Sequence, residues 1–382
     1  MSLHTHQTAA GLCGAGGSAC QRGASRESGP SRVSRESRAR HLALPLTALA
    51  ALLFAAASSP AAPPIRVMLL DGDSAGAHPW PPLTAVLKAE LDEAGIFQTD
   101  IVTAPKADGD FSNFKPDFSK YQVIVLNYDA QDWPDSMKTP FKAFVKNGGG
   151  LVAVHAAETA FPNWKEFNEM IGVSGFRGRT DKDGPLWFMK DGKLVSDTTP
   201  GPAGAHGNRV PYLVTVEDPN HPITKGLPKT WMHQGDELYN KLRGPGTNMT
   251  VLASAYSDPA NRGTGRNEPQ LIVVNYGKGR VFNTLSGHDA NAMSSVDWLV
   301  TFQRGTEWAA TGKVTQKVPA DFPTAQSVSY RPNIAALDPS YKNGLNALTA
   351  GGGGGRGPGG GSGRGGRGPQ APPPPAPPPP GQ

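Results

Sequence analysis

Between residues 63 and 312 the apolar positions follow two rhythms, and their alternation sets the expected architecture. Four segments read as strands: Ile65 to Leu70, Phe97 to Val102, the buried Tyr121 to Asn127, and Leu151 to Val154, whose continuous apolar run marks a strand buried on both faces. Between them, apolar residues recur at helical spacing. Leu83, Val86, Leu87, Leu91 and Ala94 share one face of a helix closed by Gly95, and Phe141, Phe144 and Val145 point inward from a helix over Ser136 to Lys146. A further helix is predicted over Phe161 to Ile171. Strands alternating with helices across short connections predict an α/β fold, a mostly parallel sheet with helices on both faces and right-handed crossovers.

The second half changes rhythm. Strands are predicted at Tyr212 to Val216, Val251 to Ala255, Leu271 to Tyr276 and Arg280 to Thr284, the last two joined through Gly277-Lys278-Gly279, a hairpin signal. A helix from Val296 to Ala310 closes the body. This half is a β-rich insertion into the α/β frame, and residues 174 to 210, glycine-rich and polar, read as an irregular segment over a crevice.

The two ends differ in composition from this body. Leu42 to Ala57 is a short apolar run preceded by Arg32, Arg35, Arg38 and Arg40 and followed by Ser58-Ser59-Pro60-Ala61-Ala62. That is the layout of a secretory signal, so residues 1–62 read as a leader and the body as secreted or periplasmic. Membrane attachment would come only through an uncleaved anchor, for which the run is short. Residues 63–312 form the α/β domain and 313–350 a C-terminal extension. Residues 351–382, glycine runs then APPPPAPPPP, bury too little apolar surface to order themselves.

Charge and cysteine content exclude whole classes of function. The formal +5 belongs to the ends, since residues 63–350 hold 28 basic against 30 acidic side chains. Such a body lacks the electrostatic footprint of a nucleic-acid binder. Both cysteines, Cys13 and Cys20, fall in the leader, which leaves the body without disulfide or thiol chemistry. There is no Gly-x-Ser-x-Gly elbow, no phosphate-cradling loop and no dinucleotide fingerprint between a strand and a helix.

What remains is imidazole and carboxylate. The body holds six histidines: His78, His155, His206, His221, His233 and His288. His155 ends the strand that Gly148-Gly149-Gly150 opens. Asp71 and His78 follow the first strand, Asp129 the third, and His288 and Asp289 the strand at Arg280. In an open α/β sheet such strand ends meet along one edge, where ligands bind. Trp231 to Tyr239 adds His233, Asp236 and Glu237. These groups suit either general acid and base catalysis or a divalent metal, with His155, His233, Glu237 and His288 as candidate ligands. Alternatively, Asp236 and Glu237 cap a helix or pair with Arg243 or Arg280. His221, bracketed by Pro219 and Pro222, suits a rigid turn. Trp80, Trp133, Trp187 and Tyr239 suit either stacking on a sugar ring or packing.

Four ordered blocks carry a resemblance. Gly148 to Ala157 with Phe161-Pro162-Asn163-Trp164, Asp218 to Pro228, Asp236 to Tyr239, and Tyr276 to Phe282 with Leu285 to Asp289 resemble the ThuA-like (trehalose utilisation) proteins, over about Ile65 to Gly312. The resemblance implies a flavodoxin-like fold similar to class I glutamine amidotransferases, with His155 near their elbow cysteine; without a thiol, amidotransferase chemistry is excluded. It also implies trehalose-type disaccharides or their keto derivatives as substrate. The relatives carry histidine after Gly175-Phe176, where this chain has Arg177-Gly178-Arg179, and a guanidinium such as Arg179 suits a hydroxyl-rich substrate. The expectation is therefore a carbohydrate-transforming enzyme with His155, Asp236, Glu237 and His288 catalytic, His155 or His288 moving the proton, and Asp71, His78, Asp129, Arg179, Trp187, Tyr239 and Asp289 at the substrate. A divalent metal is the optional electrophile. The alternative is a non-catalytic carbohydrate-binding surface protein.

Overall fold

The computed structural model describes residues 62–74 and 78–338. The expected leader and glycine- and proline-rich tail lie outside these residues, and of the C-terminal extension only 313–338 is described.

In chain order the elements are β1 (Ile65–Asp71), α1 (Trp80–Glu93), β2 (Phe97–Thr103), β3 (Val123–Leu126), α2 (Asp135–Lys146), β4 (Gly150–Val154) and α3 (Lys165–Ile171). There follow β5 (Leu186–Lys190), β6 (Lys193–Asp197), β7 (Ala205–His206), β8 (Val210–Val216), β9 (Thr230–Asp236), β10 (Tyr239–Asn240), β11 (Met249–Tyr256), β12 (Asn267–Tyr276) and β13 (Gly279–Thr284). The helices α4 (Ala290–Met293), α5 (Val296–Thr311) and α6 (Pro332–Ala335) complete the described chain.

One large mixed sheet runs in the order β2-β1-β3-β4-β13-β12-β11-β8-β9. The first five strands are mutually parallel; from β13 onward each neighbour reverses direction. The parallel half is the alternating β/α segment the sequence announced. The other half is antiparallel, because β11, β12 and β13 are joined by connections too short for a parallel crossover. Residues 174–210 are more regular than expected, since β5 and β6 form a hairpin there.

Successive side chains of β1, β3 and β4 enter opposite cores. Val67, Leu69, Val123, Val125, Val152 and Val154 pack with α1 and α5, whereas Met68, Leu70, Ile124, Leu126, Leu151 and Ala153 pack with α2 and α3. This is why these strands read as continuous apolar runs. Helix α5 lies unusually close to the sheet. A Cβ on Gly305 would stand 2.1 Å from the Phe282 ring of β13, so only glycine permits this approach. The segment after α5 folds back, with Phe322 edge-on to Trp231 at 5.4 Å between centroids.

Four reversals after β13 return β9 to the direction of the parallel strands, so its carboxyl end reaches the same sheet edge. Across a flat sheet β9 would lie roughly 19 Å from β13, at about 4.8 Å per step. Register shifts in the β11/β12 and β8/β9 pairs roll the sheet instead, and β9 packs against α4 and α5. That curl brings the end of β9 beside the end of β13.

Candidate metal centre

Four side chains meet at this edge. His78 follows β1, His155 follows β4, His288 follows β13 and Glu237 follows β9, and each offers a ligand atom within 4.8 Å of the others'. Ring centroids stand 5.3 Å apart for His78 and His155, 4.8 Å for His78 and His288, and 5.4 Å for His155 and His288. Glu237 Oε2 lies 3.1 Å from His288 Nδ1, off the line of a hydrogen bond, and 3.9 Å from His155 Nε2.

The outer nitrogens of two imidazoles are already committed. His155 Nδ1 donates to the Leu285 carbonyl at 2.7 Å, and His78 Nδ1 donates to Asp129 Oδ2 at 2.8 Å. Both Nε2 atoms are therefore left as buried lone pairs, and neither has a hydrogen-bond partner among the described residues. A backbone carbonyl or carboxylate behind the ring is the usual support of a metal-binding histidine. His155 also sits at φ +34°, in the left-handed region, where the strand turns into a single helical turn over His155–Thr159. Such strain gathers at functional positions. Tyr239 closes the back of its ring at 4.0 Å between centroids.

Burial pushes His155 down to about 3, against the pull of the Asp236 and Glu237 carboxylates, so it is a neutral donor at physiological pH. Glu237 goes the other way. Burial raises it, but His288 first and then the other imidazoles around it outweigh burial and hold it at about 2. Three imidazole nitrogens and one ionised carboxylate form a donor set suited to a divalent transition ion such as zinc.

Behind the cluster lies a buried charge relay. His233 Nδ1 donates to Asp297 Oδ2 at 2.8 Å and its Nε2 to Asp236 Oδ2 at 3.2 Å. Burial opposes its charge, but the two carboxylates prevail and raise it to about 10. Asp236 in turn accepts the backbone N–H groups of Gly287 at 2.6 Å and His288 at 3.1 Å. Gly287 has φ +106°, and a Cβ there would meet the Trp298 ring nitrogen at 2.6 Å.

Several expected roles are thereby corrected. His233 is not among the candidate ligands, because both its nitrogens are spent on carboxylates; His78 joins the cluster instead. Asp236 is fully buried and positions the His288 loop without entering the cluster. Neither Asp236 nor Glu237 pairs with Arg243 or Arg280, whose guanidiniums bind backbone carbonyls. Arg179 is 2% exposed and donates to the carbonyls of Thr159, Ala160, Phe161 and Gly175 and to Asn168, so it faces no substrate. Its neighbour Arg177 reaches the site instead, bonding the Asp129 carbonyl with Nη2 3.8 Å from Asp129 Oδ1.

The other side chains also find protein partners. Asp71 accepts from Thr84 Oγ1 at 2.6 Å. Trp187 donates to the Gly244 carbonyl at 2.9 Å and lies against Gly246. Asp289 caps α4 through the Ala292 N–H and pairs with Arg209. His221 makes the turn its prolines suggested, its ring against Trp308. The residue that sequence reasoning left unassigned is His206, half-exposed on β7 with Nδ1 3.8 Å from Glu237 Oε1. Its only signal was its residue type.

The cluster stands at the carboxyl edge of the parallel strands of a mixed α/β sheet, the edge where open α/β sheets bind their ligands. The family model described as ThuA, trehalose utilisation, matches residues 66–309, and the chain belongs to that family. It is similar to a ThuA-like protein of known structure from Parabacteroides merdae, at 44% identity and a TM-score of 0.69, covering 71% of this chain and 99% of that one. A second ThuA-like protein, from Bacteroides uniformis, aligns at 19% identity and a TM-score of 0.44, over 68% of this chain and 98% of that one. No curated protein matches significantly.

Proposed function

We propose that this chain is an exported ThuA-like enzyme that transforms a trehalose-type disaccharide or its keto derivative at the His78, His155, Glu237 and His288 cluster, with a divalent cation held among them. The observation that carries this reading is the pair of buried Nε2 lone pairs facing an ionised carboxylate, each ring fixed from behind. Burying such polar atoms unpaired costs about 1–3 kcal/mol each, a cost a cation would offset.

When bound, the cation supplies Lewis acidity toward a carbonyl or hydroxyl oxygen of the sugar. His155, neutral and immobile, serves as a fixed donor. His288 has the most accessible side chain of the three histidines, at 13%, and with His206 at the rim marks the side of the cluster that faces solvent. A substrate without charge suits a body whose own charge is near zero. The order of the five parallel strands supports a flavodoxin-like assignment, and the basic, apolar and small-residue layout of the leader supports export.

The test is incubation of the metal-analysed protein with trehalose and keto-disaccharides, with and without chelator, and detection of products by mass spectrometry. Chelator-sensitive turnover is expected. Full turnover by a His155→Ala variant would remove the assignment.

A further inference from the structure

Beside the cluster lies a second concavity that none of this chemistry uses. It has a volume of about 350 Å³, and its wall includes Asn208, Leu213, Leu238, Tyr256, Asp258 and Asn261. That volume falls within the range of small-molecule sites. Two chain links join it to the cluster. Gly207 of its wall follows His206, and Leu238 follows Glu237, so each lies about 3.8 Å, one Cα step, from a residue at the histidine site.

The wall is built rather than incidental. The Asn208 N–H donates to the Asn261 carbonyl at 2.8 Å, clamping the loop before β8 to the loop after β11. The approach is so close that a Cβ on Gly207 would stand 2.6 Å from the Asn261 carbonyl oxygen. Tyr256 is 52% exposed and Leu213 39%, and these two of the four exposed large apolar residues among those described share this one groove. Asn208, Asn261 and Asp258, whose Oδ1 accepts from the Ala260 N–H at 2.8 Å, also line the groove. An exposed aromatic side chain in a groove lined by asparagine and aspartate residues matches a sugar ring, which presents C–H groups on its faces and hydroxyls at its rim.

We propose that this groove is a subsite for the distal ring of a disaccharide or glycoside whose reacting ring occupies the histidine cluster. The inference rests on the carbohydrate reading above and adds that the protein recognises two linked rings, with Tyr256 as the stacking platform.

Full-length protein is titrated with glucose and with trehalose, following ligand resonances by NMR. Trehalose is expected to bind roughly tenfold more tightly than glucose. Tyr256→Ala should bring trehalose to the affinity of glucose and leave glucose within about twofold, while Tyr256→Phe keeps wild-type behaviour. Tyr256 is exposed enough for the alanine variant to fold, which circular dichroism checks. If wild-type protein binds the two sugars equally, or Tyr256→Ala weakens both alike, the subsite is overturned and the carbohydrate reading stands. If wild type binds neither these sugars nor the corresponding keto-disaccharide, both fall. A wild-type dimer by sedimentation that Tyr256→Ala dissociates would make the groove an interface between copies and overturn the subsite.

Discussion

His155 and Leu285 are 130 residues apart in the chain, yet the imidazole Nδ1 of one donates to the carbonyl of the other at 2.7 Å. A carbonyl can only accept, so this bond fixes the tautomer and leaves Nε2 as the free lone pair. It also ties the end of β4 to the end of β13. The lone pair, the Glu237 carboxylate and the other two imidazoles should hold one divalent ion per chain. Both His155→Ala and Glu237→Gln should weaken zinc affinity by roughly a hundredfold or more. Inductively coupled plasma mass spectrometry after dialysis against a competing chelator reads this directly, and stoichiometric metal in both variants would refute it.

Asp129 never enters the cluster but holds His78 from behind. Asp129→Asn preserves the shape while removing the charge, so it should weaken metal affinity by about 10–100-fold and leave the melting temperature of metal-free protein nearly unchanged. A titration with zinc against a chromophoric chelator separates these two outcomes.

The buried imidazolium His233 should make stability depend on alkaline pH. Its folded value is raised above the ordinary 6.5 to about 10. Its contribution is therefore complete below pH 6.5 and is lost as pH rises through 10, at a rate of at most ~1.4 kcal/mol per pH unit. His233→Gln should flatten this decline in urea unfolding and cost about 3 kcal/mol or more at neutral pH, because Asp236 and Asp297 lose their shared counter-charge. An unchanged alkaline slope in the variant would show that other groups are responsible.

Arg179→Ala separates the structural from the substrate-binding assignment. Loss of its charged hydrogen bonds to the segment after β4 should cost about 3 kcal/mol. Because the side chain is buried, the KM for the proposed turnover should be unaltered in the folded variant. A raised KM without a change in unfolding midpoint would restore the original expectation.

The parallel half of the sheet was legible because β1, β3 and β4 are buried on both faces, which leaves no polar position to blur the pattern. Strand β9 was not legible, since His233, Gln234 and Asp236 read as polar until Asp297, Asn291 and the 287–288 amides are known to meet them. The hairpin of β5 and β6 carried an unread signal: Asp191-Gly192, both at positive φ, is a favoured two-residue turn. At the site, strand ends drew attention to His78, His155 and His288, whereas Glu237 stood out only through the carboxylates beside His233 in Trp231 to Tyr239. His78, expected at the substrate, lies several residues beyond its strand, and the bond to Asp129 that turns its Nε2 toward the other donors has no sequence signal. Nothing in the sequence separates Arg177 from Arg179; their opposite fates depend on which one the tight turn at Gly178 directs inward.

The four donors span residues 78 to 288 and come from four separate loops, with no two on a common helical turn. An extended polypeptide consequently offers no chelating pair, and any ion that prefers this quartet must discriminate strongly between native and denatured ensembles. Saturating such an ion at a hundred times its dissociation constant would add about 2.7 kcal/mol to the unfolding free energy. The abundance of folded protein would then follow the supply of the ion.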